Sequence, residues 1–253
     1  MPKSNCNRMN LSKLCFILFL ILSIKEVNAQ KSVTNQNLYW VRYYNQLSLN
    51  NKLTWHNELE DRRFFENNRQ HHFIMHSRLH HKISPNIDVA FGLTYSLQSP
   101  QDPNSLTDLV VPEIRPVQEI NVSNPISKRL TIQQRFRIDE RFIHKNDGKD
   151  LIDGYDFNFR FRYRIQATYK LNKENSTLQT TLKVADELMI NAGSNIIYNQ
   201  FDQNRVYLGM EKGVSKHLSL ELGYLHWYQQ RASGYQFFDR DIIRLTIYHK
   251  ISL

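Results

Sequence analysis

Arginines recur at even spacing in two stretches of this 253-residue chain. Arg135, Arg137 and Arg141 form one row, and Arg160, Arg162 and Arg164 form another. Residues two apart on a strand share a face, so each row lines one side of its strand. Two such rows side by side could guide anions through a narrow passage. They could also fill an enclosed space as a salt-bridged plug, the commoner use of long side chains in a small barrel. Either way acids must approach. Asp139 and Asp156 are local candidates, Glu187 can reach Arg162 from the next strand, and Glu58 and Glu60 can meet the rows from across a lumen.

A second group is His56, Glu58 and Glu60 with His76, Arg78 and His80. A hairpin turn centred near residue 68 sets His56 opposite His80, Glu58 opposite Arg78 and Glu60 opposite His76. His56, His76, His80 and Glu58 could ligate a metal. The interleaved charges favour an ion-pair network instead, and no metal or other cofactor is assigned. His71, His72 and His81 fall at strand ends or on the other face.

Catalysis would need a hydroxyl, a histidine base and an orienting group together. Ser77, His81, His226 and His249 are the candidates on the apolar faces. Ser77 and His81 are four residues apart on one strand, about 13 Å at 3.3 Å per residue, too far for a hydrogen bond. Nucleophile-elbow, dinucleotide and P-loop signatures are missing from the sequence. Asn146 to Asp150 has calcium-loop composition without the alternating ligand spacing, and reads as a turn.

The elements that must carry these residues are strands, because alternation dominates the chain. Phe157, Phe159, Phe161, Tyr163, Ile165, Ala167 and Tyr169 alternate with Asp156, Asn158, Arg160, Arg162, Arg164, Gln166 and Thr168. Eleven such segments are legible: 37–49, 52–65, 69–83, 86–98, 114–124, 129–143, 155–171, 177–190, 203–214, 217–230 and 239–253. Short turns (Asn50-Asn51, Ser84 to Asn86, Asn124-Pro125, Asn172 to Ser176, Gly213 to Lys216) alternate with longer segments (Ser99 to Pro112, His144 to Gly154, Asn191 to Asn204, Arg231 to Phe238). That rhythm belongs to an up-and-down transmembrane barrel. An antiparallel closed barrel needs an even count, so about twelve strands are expected, Gln30 to Gln36 supplying the twelfth, with ten as the fallback. Small residues on the polar faces (Ala90, Gly92, Gly209, Gly223) suit a crowded lumen. Aromatics near strand ends (Tyr39, Tyr43, Trp55, Phe64, Phe65, Tyr95, Phe142, Tyr169, Tyr224, Tyr228) suit interfacial belts.

Met1 to Ala29 reads as a secretory signal: Lys3, Arg8 and Lys13, then the apolar run Leu14 to Ile24, then Val27-Asn28-Ala29 as cleavage site. The domain is then 30–253. Cys6 and Cys15 both lie in the leader, which excludes disulfides, thiol catalysis and cysteine-ligated zinc from the rest. Lys and Arg number 33 against 24 Asp and Glu. A basic exported protein meets outer-membrane lipids or small anionic solutes rather than nucleic acid. Mean hydropathy of −0.55 and the lack of a second long apolar run exclude a helical-bundle membrane protein.

Several stretches carry a resemblance. Glu113-Ile-Arg-Pro-Val-Gln-Glu119, Gln134 to Phe142 (QRFRIDERF), Phe159-Arg-Phe-Arg-Tyr-Arg164 and Phe201 to Gly209 (FDQNRVYLG) resemble the domain-of-unknown-function 2490 family of outer-membrane barrels in Gram-negative bacteria. The resemblance implies a location and a fold and transfers no activity. The expectation is an outer-membrane barrel with a structural role or a role in passing small solutes, anions above all. The rivals are a lipid-modifying enzyme on a barrel scaffold and a soluble periplasmic barrel that binds a ligand.

Overall fold

The computed structural model describes residues 31–172 and 178–253. The leader read at 1–29, and most of the turn read at Asn172 to Ser176, lie outside the described residues. Eleven strands occupy nearly all of the rest: β1 (Ser32–Ser48), β2 (Leu53–Phe64), β3 (Gln70–Ser84), β4 (Ile87–Gln98), β5 (Val111–Pro125), β6 (Leu130–Asn146), β7 (Leu151–Lys170), β8 (Thr180–Ala192), β9 (Phe201–Gly213), β10 (Leu218–Gln230) and β11 (Gln236–Ser252). Each pairs with its sequence neighbours, and β1 pairs with β11, so the sheet is a closed barrel. Closure leaves no edge with unpaired backbone groups.

The count corrects the expected twelve. Ser32 to Gln36 do not form a strand of their own; they lengthen β1 at its start. Parity is met at the seam instead. β1 and β11 run parallel, from Ser32 opposite Gln236 to Ser48 opposite Ser252. An odd count makes first and last strands point the same way, and a parallel pair, with evenly spaced slanted hydrogen bonds, closes the sheet at a slightly lower stability per residue than an antiparallel one. The described chain therefore enters at the rim that carries the β4–β5 connection and leaves at the opposite rim.

The four expected longer connections are all shorter than read, that from Ser99 to Pro112 narrowing to 99–110 and that from Arg231 to Phe238 to 231–235. β6 and β7 stay paired up to Asn146 opposite Leu151, so the connection expected from His144 to Gly154 shrinks to residues 147–150. The connection expected from Asn191 to Asn204 shrinks likewise to 193–200. In the former, Asp147 accepts the backbone N–H groups of Asp150 (2.8 Å) and Lys149 (2.9 Å). These donors, Asp150's first, hold its carboxyl below the usual range. The segment is the turn its sequence suggested.

Alternation sorts the two faces. Phe91 is 64% exposed and Leu222 61%, whereas Glu113 and Arg240 are fully buried. Along most of the strands apolar side chains point outward and charged ones inward, while a cluster that includes Leu38, Trp40 and Trp227 is apolar and buried. Of the aromatics read as belts, Trp55, Phe65, Tyr169 and Tyr224 are exposed on the outer face, but Phe64 is 1% exposed. Phe64 turns inward because its parity is that of Glu58 and Glu60, and its ring meets His71 edge-on at 5.2 Å.

Gly209 and Gly223 stand opposite each other on β9 and β10. A Cβ at either would collide with the phenol of Tyr207, whose ring lies across the pair. Glycine is required at both positions for that inward ring to lie flat on the wall.

Candidate functional site

The site is the barrel interior, which encloses about 950 Å³. Glu58 takes Arg78 and, at 3.4 Å, Arg42. Glu60 takes Arg62 at 2.5 Å. The backbone register sets Glu58 opposite His76, His56 opposite Arg78 and Thr54 opposite His80, two residues off the expected pairing. The register also shifts by one residue between Arg62 and Arg63, next to the turn. A slip of two keeps every side chain on its face. Diagonal neighbours still meet, so Glu58 reaches Arg78 and the rings of His56 and His80 stack.

Ligand atoms of Glu58, Glu60 and His76 lie within 4.8 Å of one another. Arg42, Arg62 and Arg78 already hold the two carboxylates, and His76 Nδ1 is 2.6 Å from Thr94 Oγ1. His80 turns to Asp88 (2.8 Å) and His56 to the Tyr44 hydroxyl (2.7 Å). The chemistry of this group is that of an ion-pair network rather than of a cation cage.

The arginine rows face each other as read: Arg135 opposite Arg164 and Arg137 opposite Arg162. Arg160 falls opposite Asp139 and Arg141 opposite Asn158. Asp139 bonds Arg137 at 2.5 Å and lies 3.4 Å from Arg162. Glu187 takes Arg162 at 2.8 Å and also Arg135, the reach expected from β8. Asp156 instead accepts from Asn195 at 3.2 Å, above the rows. Glu58 and Glu60 stay with their own arginines. The missing acids come from elsewhere: Glu113 takes Arg141 and Arg115, Asp202 takes Arg160 at 2.9 Å, and Glu119 lies 3.9 Å from Arg137.

A third group was not singled out in the sequence. Glu221 accepts from Lys183 (2.6 Å), Arg244 (3.0 Å), Tyr207 (2.7 Å) and Tyr248 (3.1 Å). Its signal was its parity, which is that of Gly223 on the inward face of β10. Near the longer connections, Arg240 donates to Gln36 (2.7 Å), Gln229 (2.7 Å) and Gln101 (3.0 Å). Gln101 belongs to the β4–β5 connection, which bends over the opening. Its side chain also meets His71 at 2.9 Å, and its carbonyl accepts from Gln36 at 2.7 Å.

Among the described residues, no carboxylate lies within 4.0 Å of Arg164, Arg205 or Arg240, although the buried lumen acids each meet a base. The interior therefore carries surplus positive charge.

The outer-face candidates do not assemble. Ser77 donates to Asn57 (3.0 Å) and accepts from Trp55 (2.8 Å). His226 lies 3.4 Å from both Asp239 and Asp241, and His249 meets the Tyr43 hydroxyl at 2.8 Å. None of these histidines meets Ser77.

The family model described as a protein of unknown function, DUF2490, matches residues 37–238, which is strands β1 to β10 and the start of β11. No curated protein matches the chain.

Proposed function

We propose, for a chain that belongs to the DUF2490 family of proteins of unknown function, an outer-membrane barrel that admits small anions to a cation-rich lumen. The membrane part of this reading is supported by the inverted distribution of side chains, apolar outside and charged inside, which a soluble barrel reverses. Strands of 12 to 20 residues exceed the ~9–11 needed to cross a bilayer at a tilt. The leader read at 1–29 would deliver the chain to that compartment, and lipids would cover the outer wall.

The observation that carries the anion part is the surplus at Arg164, Arg205 and Arg240. Arg240 is fully buried and Arg164 and Arg205 are half-buried; a guanidinium shut away from bulk water without a carboxylate is costly unless a mobile anion compensates it. A ring of such groups selects anions over cations. Paired charges crowd the lumen around β3 to β8, and Gln101 bonds across its mouth, so this reading admits small anions and not large solutes.

The test is conductance in planar bilayers under a salt gradient. Small unitary steps with a reversal potential favouring anions are expected, and Arg164→Gln should reduce that preference. Silence above background for folded, inserted protein would overturn passage and leave a structural barrel. A cation-favouring reversal potential would overturn the anion reading.

A further inference from the structure

The lumen is not uniformly ionic. Leu38, Trp40, Phe64, Leu225, Trp227 and Ile242 turn inward and pack together as part of one apolar cluster. They break the outward-apolar pattern of the barrel, and they do so beside surplus charge. Arg205 lies over both indoles, 5.4 Å from the Trp40 ring and 4.6 Å from the Trp227 ring. The two indoles meet edge-on at 5.9 Å.

Three donors in this one place have no acceptor: the indole N–H groups of Trp40 and Trp227, and Nε of Arg205. Trp40 is 2% exposed and Trp227 3%. The acid that faces Arg205 across the β8–β9 pair is Glu187, but Arg135 and Arg162 have taken its carboxylate. Gln203, at 3.4 Å, is the polar contact the guanidinium keeps. A buried donor left unpaired costs about 1–3 kcal/mol, so three together call for an acceptor from outside the chain.

Donors alone describe an anion. Aromatic and aliphatic walls describe the rest of the molecule that carries it. A carboxylate accepts from a guanidinium and an indole N–H together, and a flat or aliphatic body gains by packing against indole rings. An inorganic anion would leave the apolar wall unused. Trp40, Trp227, Leu225 and Arg205 all border the cavity, whose volume falls within the range of small-molecule sites, ~300–1,000 Å³.

We propose that Arg205, Trp40 and Trp227 form a binding site for a small hydrophobic monocarboxylate within the lumen. This deepens the anion reading above and rests on it for the ligand's access.

The probes are benzoate, benzyl alcohol and acetate, titrated into the folded barrel in detergent. Trp40, Trp55 and Trp227 are the tryptophans of the chain, and Trp55 faces outward. A Trp55→Phe background therefore makes emission report on the proposed site. Saturable quenching by benzoate is expected, with affinity at least about tenfold above that for either other probe. Arg205→Gln should weaken benzoate by a similar factor, and Arg205→Lys by less. Equal response to benzoate and benzyl alcohol, or to benzoate and acetate, would overturn the site, as would benzoate affinity unaltered in Arg205→Gln. If that variant fails to fold, the three-probe comparison on the parent decides alone. Benzoate binding without conductance would leave this site standing and remove passage. Anion-selective conductance without benzoate binding would do the reverse.

Discussion

The imidazole rings of His56 and His80 stack with centroids 3.7 Å apart, although the register sets Thr54, not His56, opposite His80. Strands in a closed barrel are tilted, and inward side chains lean across that tilt to a partner two residues away. The same displacement joins Glu58 to Arg78. Pairing between β2 and β3 inside this barrel is diagonal, and the buried pairs have measurable consequences.

Glu58 neutralises two buried guanidiniums, those of Arg42 and Arg78. Glu58→Gln should destabilise the barrel by about 3–5 kcal/mol, the cost of breaking a buried ion pair from one side. Asp61→Asn, which removes a half-exposed partner of Arg63 on the outer face, should cost no more than about 1 kcal/mol. Urea midpoints of the two folded variants, read from gel mobility without boiling, compare the two. Equal losses would refute the burial argument.

Gly223 and Tyr207 should be coupled. Gly223→Ala forces a Cβ into the Tyr207 phenol, an overpacking cost of about 1–3 kcal/mol. In a Tyr207→Ala background the clash has no partner, so Gly223→Ala should cost much less there. A double-mutant cycle measures the difference, and additive losses would show that the ring does not lie across the glycines.

The parallel seam makes a prediction about sidedness. Ser32 and Ser233 lie at one rim and Ser252 at the other. If the rim that carries the β4–β5 connection faces the cell exterior, as longer loops do in outer-membrane barrels, Ser32→Cys and Ser233→Cys should react with an impermeant maleimide on intact cells, and Ser252→Cys should not. The chain's own cysteines, Cys6 and Cys15, are changed to serine in these variants. A twelve-strand barrel would put Ser32 and Ser252 at the same rim, and labelling both alike would refute the eleven-strand closure.

The seam itself can be locked. Asn37 and Asp241 stand opposite each other on β1 and β11. The pair Asn37→Cys and Asp241→Cys should oxidise to an internal disulfide that preserves the folded band, since neighbouring strands bring Cα atoms within bridging range. Failure to cross-link in folded protein would mean that the barrel closes elsewhere.

Gln101 ties the β4–β5 connection to Gln36, His71 and Arg240. Removing its side chain with Gln101→Ala should enlarge unitary conductance without changing the sign of the reversal potential. Unchanged step size would place the narrowest point deeper, among the arginine rows.

Much of this architecture is written in the chain as alternation. Period 2 assigned Arg160, Arg162 and Arg164 to one face and Phe159, Phe161 and Tyr163 to the other, and the barrel keeps both assignments. It located all eleven strands, and it brought Glu187 within reach of Arg162, because neighbouring strands pair locally and a parity pattern needs no distant information.

Tertiary structure decided what alternation cannot encode. Parity says which face a residue takes, but it does not say which strand lies beside the first one; the parallel β1–β11 seam, and with it the count of eleven, depends on closure of the whole sheet. Acid partners across the lumen, such as Asp202 for Arg160 and Glu113 for Arg141, depend on tilt and stagger summed around the barrel. Trp40 and Trp227 carry the parity of the inward face, and that was their signal. Their meeting with Arg205 required β1, β9 and β10 to be curled together, a juxtaposition of residues up to 187 positions apart that no local pattern records.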